Sequence, residues 1–509
     1  MMPRLSKRCA AFIDALRSRL DLSNGTQTPS DGLPLFSSGS DHGDVYFSPL
    51  EPEISPRATT PVTGQYPVSP FAIYRRRQEN AQKPACRIPD EILSEIFLLG
   101  FIPDHRVLVG KYLKSISSTC SRWRSASIHT PGLWSHIACD WTNARYPLDA
   151  LYTFLERSVQ APLTLSIYNP DFGAPPPYHK ILFEDSDLHS TRIRCLRLDG
   201  AWSVGTSFSS LPSLEALTLS VNPNEVEQDA RKVQEFLDSL FRCAQPHSLR
   251  LWRCTRTYSF SGLNLKRLTR LSYVWEAVDE SFVELLRNAL NLEELEFDVV
   301  GAFGDFLGAY SISLPQLRCL RLGCLLPGIE RTFFPRVMAE SLEYLDLRDA
   351  SEIPPYLSPC RFPNLRIIIA ELSILDYLPA AFNSLPLLEI IHLLVRGEVP
   401  KLDWIYSLCH GLNSDSRIEP PPICPQLRTI AISLQNPSRR WDMKLSAALR
   451  HLCLVRGRQS YQGGIRVFLH MNPKDKWPST NYFLQSSANT NISKVKELPP
   501  LYTPFRPCH

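Results

Sequence analysis

Two spacings of hydrophobic residues divide the chain. Near residue 90 the apolar positions fall three and four apart, the period of a helix with one greasy face. Pro89 opens this helix, where its missing N–H is not needed. Asp90 and Glu91 follow in the first turn, where they favour the positive end of the macrodipole. Ile92, Leu93, Ile96 and Phe97 then form the stripe. A second helix carries Ile116, Cys120, Trp123 and Ala126 on one face, and Thr130-Pro131-Gly132-Leu133-Trp134 turns the chain and returns an aromatic. Together these predict a helical module of about fifty residues, near the lower limit for an independent core. Such a module cannot bury every side of its stripe. Some of Ile88, Pro89, Ile92, Leu93 and Ile96 are therefore expected at the surface, open to a partner helix. Phe97, Trp123, Leu133 and Trp134 read as its internal packing.

Further on, Pro147 to Ser158 is amphipathic and Leu163 to Ile167 alternates as a strand. From there the spacing changes to a recurring phrase, L-x-x-L-x-L. Its clear copies are Ile193/Leu196/Leu198, Leu214/Leu217/Leu219, Leu292/Leu295/Phe297, Leu317/Leu320/Leu322 and Leu342/Leu345/Leu347. Weaker copies are Leu365/Ile368/Ala370, Leu388/Ile391/Leu393 and Leu427/Ile430/Ile432, with a fragment at Leu249 and Leu251. Most lie about 21 to 25 residues apart, as in leucine-rich repeats. In each copy the leucines point one face of a short strand inward. Val233 to Phe241 and Ser281 to Leu290 read as helices that return the chain. One unit cannot cover its own apolar face, so a core forms only by stacking. Asn222 and Cys254 sit where this repeat class hydrogen-bonds its loop, but most copies lack such a residue, so the repeats are degenerate. A generic α/β domain with leucine-rich strands fits the same pattern.

The residues between the leucines point out. Alignment of the copies puts Glu296, Arg321 and Asp346 at one position in three consecutive units, a ladder with rungs about 5 Å apart. Glu294, Asp298, Tyr344 and Arg348 flank it, and Arg197, Asp199, Arg250 and Trp252 face the same way nearer the start. Two readings stand side by side: a charge ladder that neutralises itself, and a client-binding patch with aromatic anchors.

Composition narrows the function classes. The 509 residues are 44% hydrophobic, and Lys+Arg 55 against Asp+Glu 51 is too balanced to argue for nucleic acid or a membrane surface. The 14 cysteines are scattered without metal-ligand spacing and read as reduced thiols. No apolar run is long enough to span a bilayer. No catalytic or cofactor motif is present. The segment to Leu22 is basic and amphipathic, compatible with a surface helix or a transit peptide. Residues 23 to about 80 are rich in Ser, Thr, Pro, Gly and Asp and are expected to be disordered. Arg75-Arg76-Arg77 fits a short nuclear signal or a solvated helix lead-in. A last helix is expected over 436–458 around Trp441, Leu445, Leu449 and Leu452. A strand is expected at Gly464 to His470, and a polar tail that frays beyond 472.

The phrases Ile88-Pro89, Glu91-Ile92-Leu93-Ser94-Glu95-Ile96-Phe97, Cys120-Ser121-Arg122-Trp123-Arg124 and Pro131-Gly132-Leu133-Trp134 together resemble the F-box. With the following Leu155-Glu156-Arg157-Ser158 and Pro162-Leu163-Thr164-Leu165-Ser166-Ile167, they resemble the F-box proteins expanded in mushroom-forming fungi. The resemblance implies an α/β protein: a small helical F-box module, then a leucine-rich-repeat-like α/β solenoid, with a disordered N-terminal arm. The expected divisions are 1–80 for the arm, 81–140 for the F-box, 141–458 for the repeats, and 459–509 for a C-terminal cap and polar tail. It further implies a non-catalytic, cofactor-free substrate adaptor of a cullin ubiquitin ligase in the cytoplasm or nucleus. Ile88, Pro89, Ile92, Leu93 and Ile96 would dock a Skp-type adaptor, and the repeats would hold a client protein. The alternative is a leucine-rich scaffold outside a ligase.

The arm carries Thr28-Pro29, Ser48-Pro49, Ser55-Pro56, Thr60-Pro61 and Ser69-Pro70. These suit proline-directed phosphorylation and also fit a plain Pro-rich linker. Phosphopeptide mapping from cells separates the two. Phosphate on one or more pairs is expected for regulation, and unmodified peptides covering all five reject it.

Overall fold

The computed structural model describes residues 69–82, 87–101, 106–140, 148–169, 182–183, 187–200, 210–220, 230–252, 259–260, 263–275, 280–299, 311–323, 333, 336–347, 362–371, 385–396, 405, 424, 426–435, 447–452, 466–471, 482–485 and 492–494. They fall into two compact units. One holds the described residues up to Tyr168 and those between 176 and 195; the other holds Asn169 and those from Leu196 on.

The first unit contains α1 (Pro70–Ala81), α2 (Asp90–Gly100), α3 (Arg106–Thr119), α4 (Ser121–Ile128), α5 (Pro131–Trp134), β1 (His136–Asp140), α6 (Leu148–Arg157), β2 (Leu163–Asn169) and α7 (Asp187–Ser190). The expected arm lies outside the described residues except at its end. There the expectation of disorder to residue 80 is corrected, because α1 is helical, with Arg75 and Glu79 paired one turn apart at 3.0 Å. The second helix of the module is also corrected. It is two helices, broken at Cys120, whose extended backbone caps α4 while its Sγ accepts from Trp123 N. The cause is local. Ser117, Ser118 and Thr119 turn their hydroxyls back onto carbonyls of α3. Arg124 Nε then donates to the carbonyl left open at Ser117.

Phe97 and Trp123 meet edge-on at 5.2 Å, and Trp134 meets Phe154 in the same way at 5.2 Å. Two buried donors beneath the rings are paired: Tyr112 OH donates to Phe97 O, and Trp134 Nε1 to Ser127 O. β1 runs parallel to β2, from His136 opposite Thr164 to Asp140 opposite Tyr168. The turn after α6 puts Val159 at φ 48, a strained value for a β-branched residue. Buried Arg192 holds that turn, donating to Ser158 Oγ and Ala161 O.

β3 (Ile193–Gly200) carries the chain into the second unit. There follow β4 (Ala216–Ser220), α8 (Ala230–Cys243), β5 (Ser248–Trp252), β6 (Arg270–Trp275), α9 (Glu280–Asn288), β7 (Glu294–Val299), β8 (Ile312–Ser313), β9 (Cys319–Leu322), β10 (Val337–Met338) and β11 (Tyr344–Leu347). The chain ends its described part with β12 (Ile367–Glu371), β13 (Ile390–Arg396), β14 (Thr429–Gln435), β15 (Arg466–Met471), β16 (Tyr482–Gln485) and β17 (Ile492–Lys494). From β4 to β15 the strands of the main sheet lie side by side in chain order and parallel, with β8 and β10 forming a separate small pair. The architecture is mixed α/β, with a large parallel sheet whose chain-order strands are consistent with a solenoid-like fold.

The register explains the sequence phrase. Leu217, Leu249, Leu271, Leu295, Leu320, Leu345, Ile368, Ile391, Ile430 and Val467 face one another across successive strands. Each is buried. The gap between residues 219 and 292 is filled by β5 and β6. β6 is a full copy, Leu268/Leu271/Tyr273, hidden by a tyrosine in the last place. Tyr273 is buried against Phe282 at 4.3 Å, and Phe282 stacks on Phe297 at 4.7 Å.

Eight strands of the main sheet, β4, β6, β7, β9, β11, β12, β13 and β14, are preceded by a four-residue turn in which a leucine N–H returns to the carbonyl three residues back. It recurs from Leu211 to Leu214, Leu314 to Leu317, Phe362 to Leu365, Leu385 to Leu388 and Cys424 to Leu427. In those five the second residue is proline, which pre-sets the turn. Then one carbonyl per repeat receives two N–H groups from the next strand's start. Glu293 O accepts from Arg318 and Cys319, Arg318 O from Glu343 and Tyr344, and Glu343 O from Arg366 and Ile367. The expected strand near 464–470 is β15. Of the expected last helix, residues 447–452 are helical with Leu449 and Leu452 buried, and Trp441 and Leu445 lie outside the described residues. Asn222 and Cys254 lie outside them too. The tail expected to fray beyond 472 instead adds β16 and β17 as antiparallel strands.

Leu345 is fully buried in the middle of the stack. Leu345→Ala is expected to cost about 2–5 kcal/mol, read as a lowered midpoint in chemical denaturation. An unchanged midpoint would contradict a core built from this column.

Candidate functional site

Two surfaces present the residues singled out by the sequence. The first is α2. Its first turn holds Asp90, paired with Arg122 at 2.9 Å, and Ser94 bonds Thr130 across to α4's end. α2 packs on α4 and α5, and this divides its apolar stripe. Leu93, Ile96 and Phe97 turn inward and are buried, as are Trp123, Leu133 and Trp134. Pro89 is exposed, Ile88 is half-buried and Ile92 is 43% exposed. Leu93 and Ile96, expected at the partner surface, therefore belong to the core. In their place stand Leu98 and Leu99, 40% and 59% exposed. Leu99 lies two turns from Ile92 on the same face. That spacing is the signal by which the sequence could have revealed it.

The second surface is the outward side of the parallel sheet. Glu296, Arg321 and Asp346 do stand on adjacent rungs. Arg321 lies 3.5 Å from Glu296 Oε1 and 3.3 Å from Asp346 Oδ2. Asp346 is fully buried and Tyr344 nearly so, with the Tyr344 hydroxyl 3.5 Å from Asp346 Oδ2. These two are lining, not surface, and the expectation that they touch a client directly is corrected. Tyr344 belongs with Cys319 and Ile369 to an apolar cluster that Ile367 and Leu394 extend. Burial, reinforced by the Glu294 carboxylate, pushes the Cys319 thiol far above its usual range. The face is thus charged over β5 to β9, whereas over β11 to β13 Tyr344, Ile369, Ile367 and Leu394 surround the buried Asp346 and His392.

The charged part keeps most of its expected members. Glu294, Glu296 and Asp298 follow one another along β7 and remain partly exposed. Arg250 is exposed, with its guanidinium 5.3 Å from the ring of Trp252, itself 37% exposed. Arg197 pairs with Asp199 at 2.9 Å. Arg348 lies outside the described residues. Two features escaped the sequence reading. One is Ser272, which lies between Arg250 and Glu296 in register. The other is the row at the strand starts, Glu293, Arg318, Glu343, Arg366, Glu389 and Arg428, whose charge alternates from unit to unit. Arg318 grips Glu343 at 3.1 Å and Arg366 nears Glu389 at 3.9 Å. These exposed pairs are worth little each.

Among the described residues no group of His, Cys, Asp and Glu is placed to hold a metal ion, and no helix is long and apolar enough to cross a membrane. Comparison of the chain with family models and with curated proteins returns no match.

Glu294 lies 3.4 Å from Arg270, yet burial outweighs that partner and raises its carboxyl above the ordinary range. A raised carboxyl favours its protonated form in the folded state. Its ionised form therefore lowers stability above the folded pKa, and the loss fades as pH falls from the folded toward the unfolded value, below which none remains. Glu294→Gln is expected to raise the denaturation midpoint at pH 7 and to converge on wild type in acid. A difference that does not change with pH would contradict this.

Proposed function

We propose that this protein is the substrate-recognition subunit of a Skp–cullin–F-box type ubiquitin ligase. The observation that carries the reading is the division of α2. The F-box-like phrase leaves Pro89, Ile92, Leu98 and Leu99 at the surface while Leu93, Ile96 and Phe97 form the core beneath. A module this small holds its shape with the inner arc of the stripe and offers the outer arc to a partner helix. The Skp-type adaptor is that partner, and through it a cullin. The parallel sheet's outward face, with its charged rows and exposed Trp252, holds the client. Ubiquitin is then transferred by other subunits, and this chain supplies proximity rather than covalent chemistry.

Because Pro89 and Ile92 lie outside the core, changing them tests docking without emptying the core. The full chain is expected to co-purify with a Skp-type adaptor, and Pro89→Ala with Ile92→Asp to lose it by tenfold or more while circular dichroism stays unchanged. A folded wild type that does not bind would remove the ligase reading and leave a leucine-rich scaffold.

A further inference from the structure

Six charged residues of strictly alternating sign stand at the starts of β7, β9, β11, β12, β13 and β14: Glu293, Arg318, Glu343, Arg366, Glu389 and Arg428. The backbone bonds that fix the register place them on successive rungs, because each carbonyl in the row receives the next member's N–H. Rungs lie about 5 Å apart, so the row is about 24 Å long. Glu293, Arg318, Arg366 and Arg428 are exposed, and Glu343 and Glu389 are half-buried. Thr269, on the rung before Glu293, is uncharged, so the alternation starts at β7. Pairing within the row uses its middle and leaves its ends. Arg318 holds Glu343 at 3.1 Å and Arg366 faces Glu389 at 3.9 Å. Among the described residues, Glu293 and Arg428 form no ion pair. The row therefore ends in an open carboxylate on one side and an open guanidinium on the other.

An alternating run of even length, turned end for end, is its own complement. A two-fold axis performs that reversal, because it sets the same patch of two copies face to face. With the axis between Glu343 and Arg366, Glu293 meets the partner's Arg428, Arg318 meets the partner's Glu389, and Glu343 meets the partner's Arg366. Each of these pairs occurs twice. A foreign partner would need the matching pattern built into it, whereas a second copy already carries it.

The turns beside the row suit a close approach. They place Leu290, Pro315, Glu340, Pro363 and Pro386 alongside it, one for each unit from β7 to β13. Proline pre-sets its turn, so little freedom is lost when another surface lies against it. Leu290 is 57% exposed and adds apolar area at the end where Glu293 is open. Glu340 is the one charge among these five, and the axis sets it opposite the partner's Pro363, away from its own copy. We infer that the rim formed by the starts of β7 to β14 binds a second copy of this chain about a two-fold axis, row against reversed row. One exposed pair is worth little, so the pairs act as a set and the dimer is weak and sensitive to salt. A ladder serving only its own chain accounts for the two middle pairs and gives the open ends no role. The dimer depends on neither the adaptor nor the client reading.

The test is sedimentation equilibrium of the full chain at about 100 μM, in salt on the order of 0.05 M and 0.5 M. A dimer is expected in low salt, with its dissociation constant about tenfold or more higher in high salt. Glu293→Arg and Arg428→Glu each set like charges against each other across the axis, and each should weaken self-association about tenfold or more. Mixed in equal amounts, the two variants restore an opposite charge at both ends and should associate with each other to within about threefold of wild type. A role confined to one chain predicts no such recovery, because each change leaves like charges on neighbouring rungs of its own chain whether or not the other variant is present. The wild-type salt series needs no variant. A monomer in low salt overturns the proposal, as does a dimer indifferent to salt, a dimer that ignores both changes, or a mixture that stays dissociated.

Discussion

At the start of each repeat a single carbonyl accepts two N–H groups from the next strand. The chain of such carbonyls runs through Glu215, His247, Thr269, Glu293, Arg318, Glu343, Arg366 and Glu389. Each forces the following strand to begin at one fixed rung. A slip of one residue would turn every leucine outward, so this hydrogen bond and the leucine column enforce each other. The turn before it helps, because its proline holds the approach in place before the strand forms. Everything on the outward face inherits this register. Glu296 meets Arg321 and Arg321 meets Asp346 because the carbonyls upstream set the rungs, not because the ion pairs are strong enough to choose them.

The outward face shows what that inheritance allows. A scaffold held from behind tolerates unfavourable groups in front. Glu294 stays beside Arg270 with its carboxyl raised by burial, and Ser272 keeps an unpaired hydroxyl at nine-tenths burial. Neither serves the stability of the sheet; Glu294 stands on β7, and Ser272 lies on β6 between β5 and β7. Farther along, the same row changes to Ile369 and Ala431 with His392 between them, bonded to Ser433 at 2.8 Å.

The first unit solves a different problem with fewer residues. Its core rests on Phe97, Trp123, Leu133 and Trp134, and the hydroxyls and amides beneath them are paired locally. Gly132 lets Leu98 lie close, with a Cβ there only 2.9 Å from Leu98 Cδ2. Phe97, Trp123 and Trp134 turn inward while the aliphatic Ile92, Leu98 and Leu99 of α2 stay outside.

The amino-acid sequence by itself determined the repeat and which face of each strand turns to the core. L-x-x-L-x-L names the inward residues of each strand, and the alternation on either side names the outward ones. It also determined the helix at Asp90, through Pro89, the acidic first turn and the stripe. Tertiary structure decided the rest. The stripe of α2 is wider than its neighbours can cover, and only the placement of α4 and α5 sends Leu93 and Ile96 inward and leaves Ile92 and Leu99 out. Outward alternation likewise does not say how deeply an outward side chain sinks. Tyr344 and Asp346 are submerged by their neighbours, whereas Glu296 one strand on from Ser272 is not. The copy at β6 was hidden because tyrosine stands in the last leucine's place, where Phe282 from α9 and Phe297 from β7 pack against it. Spacing records which face is buried; which arc of that face is covered depends on residues brought from elsewhere in the chain.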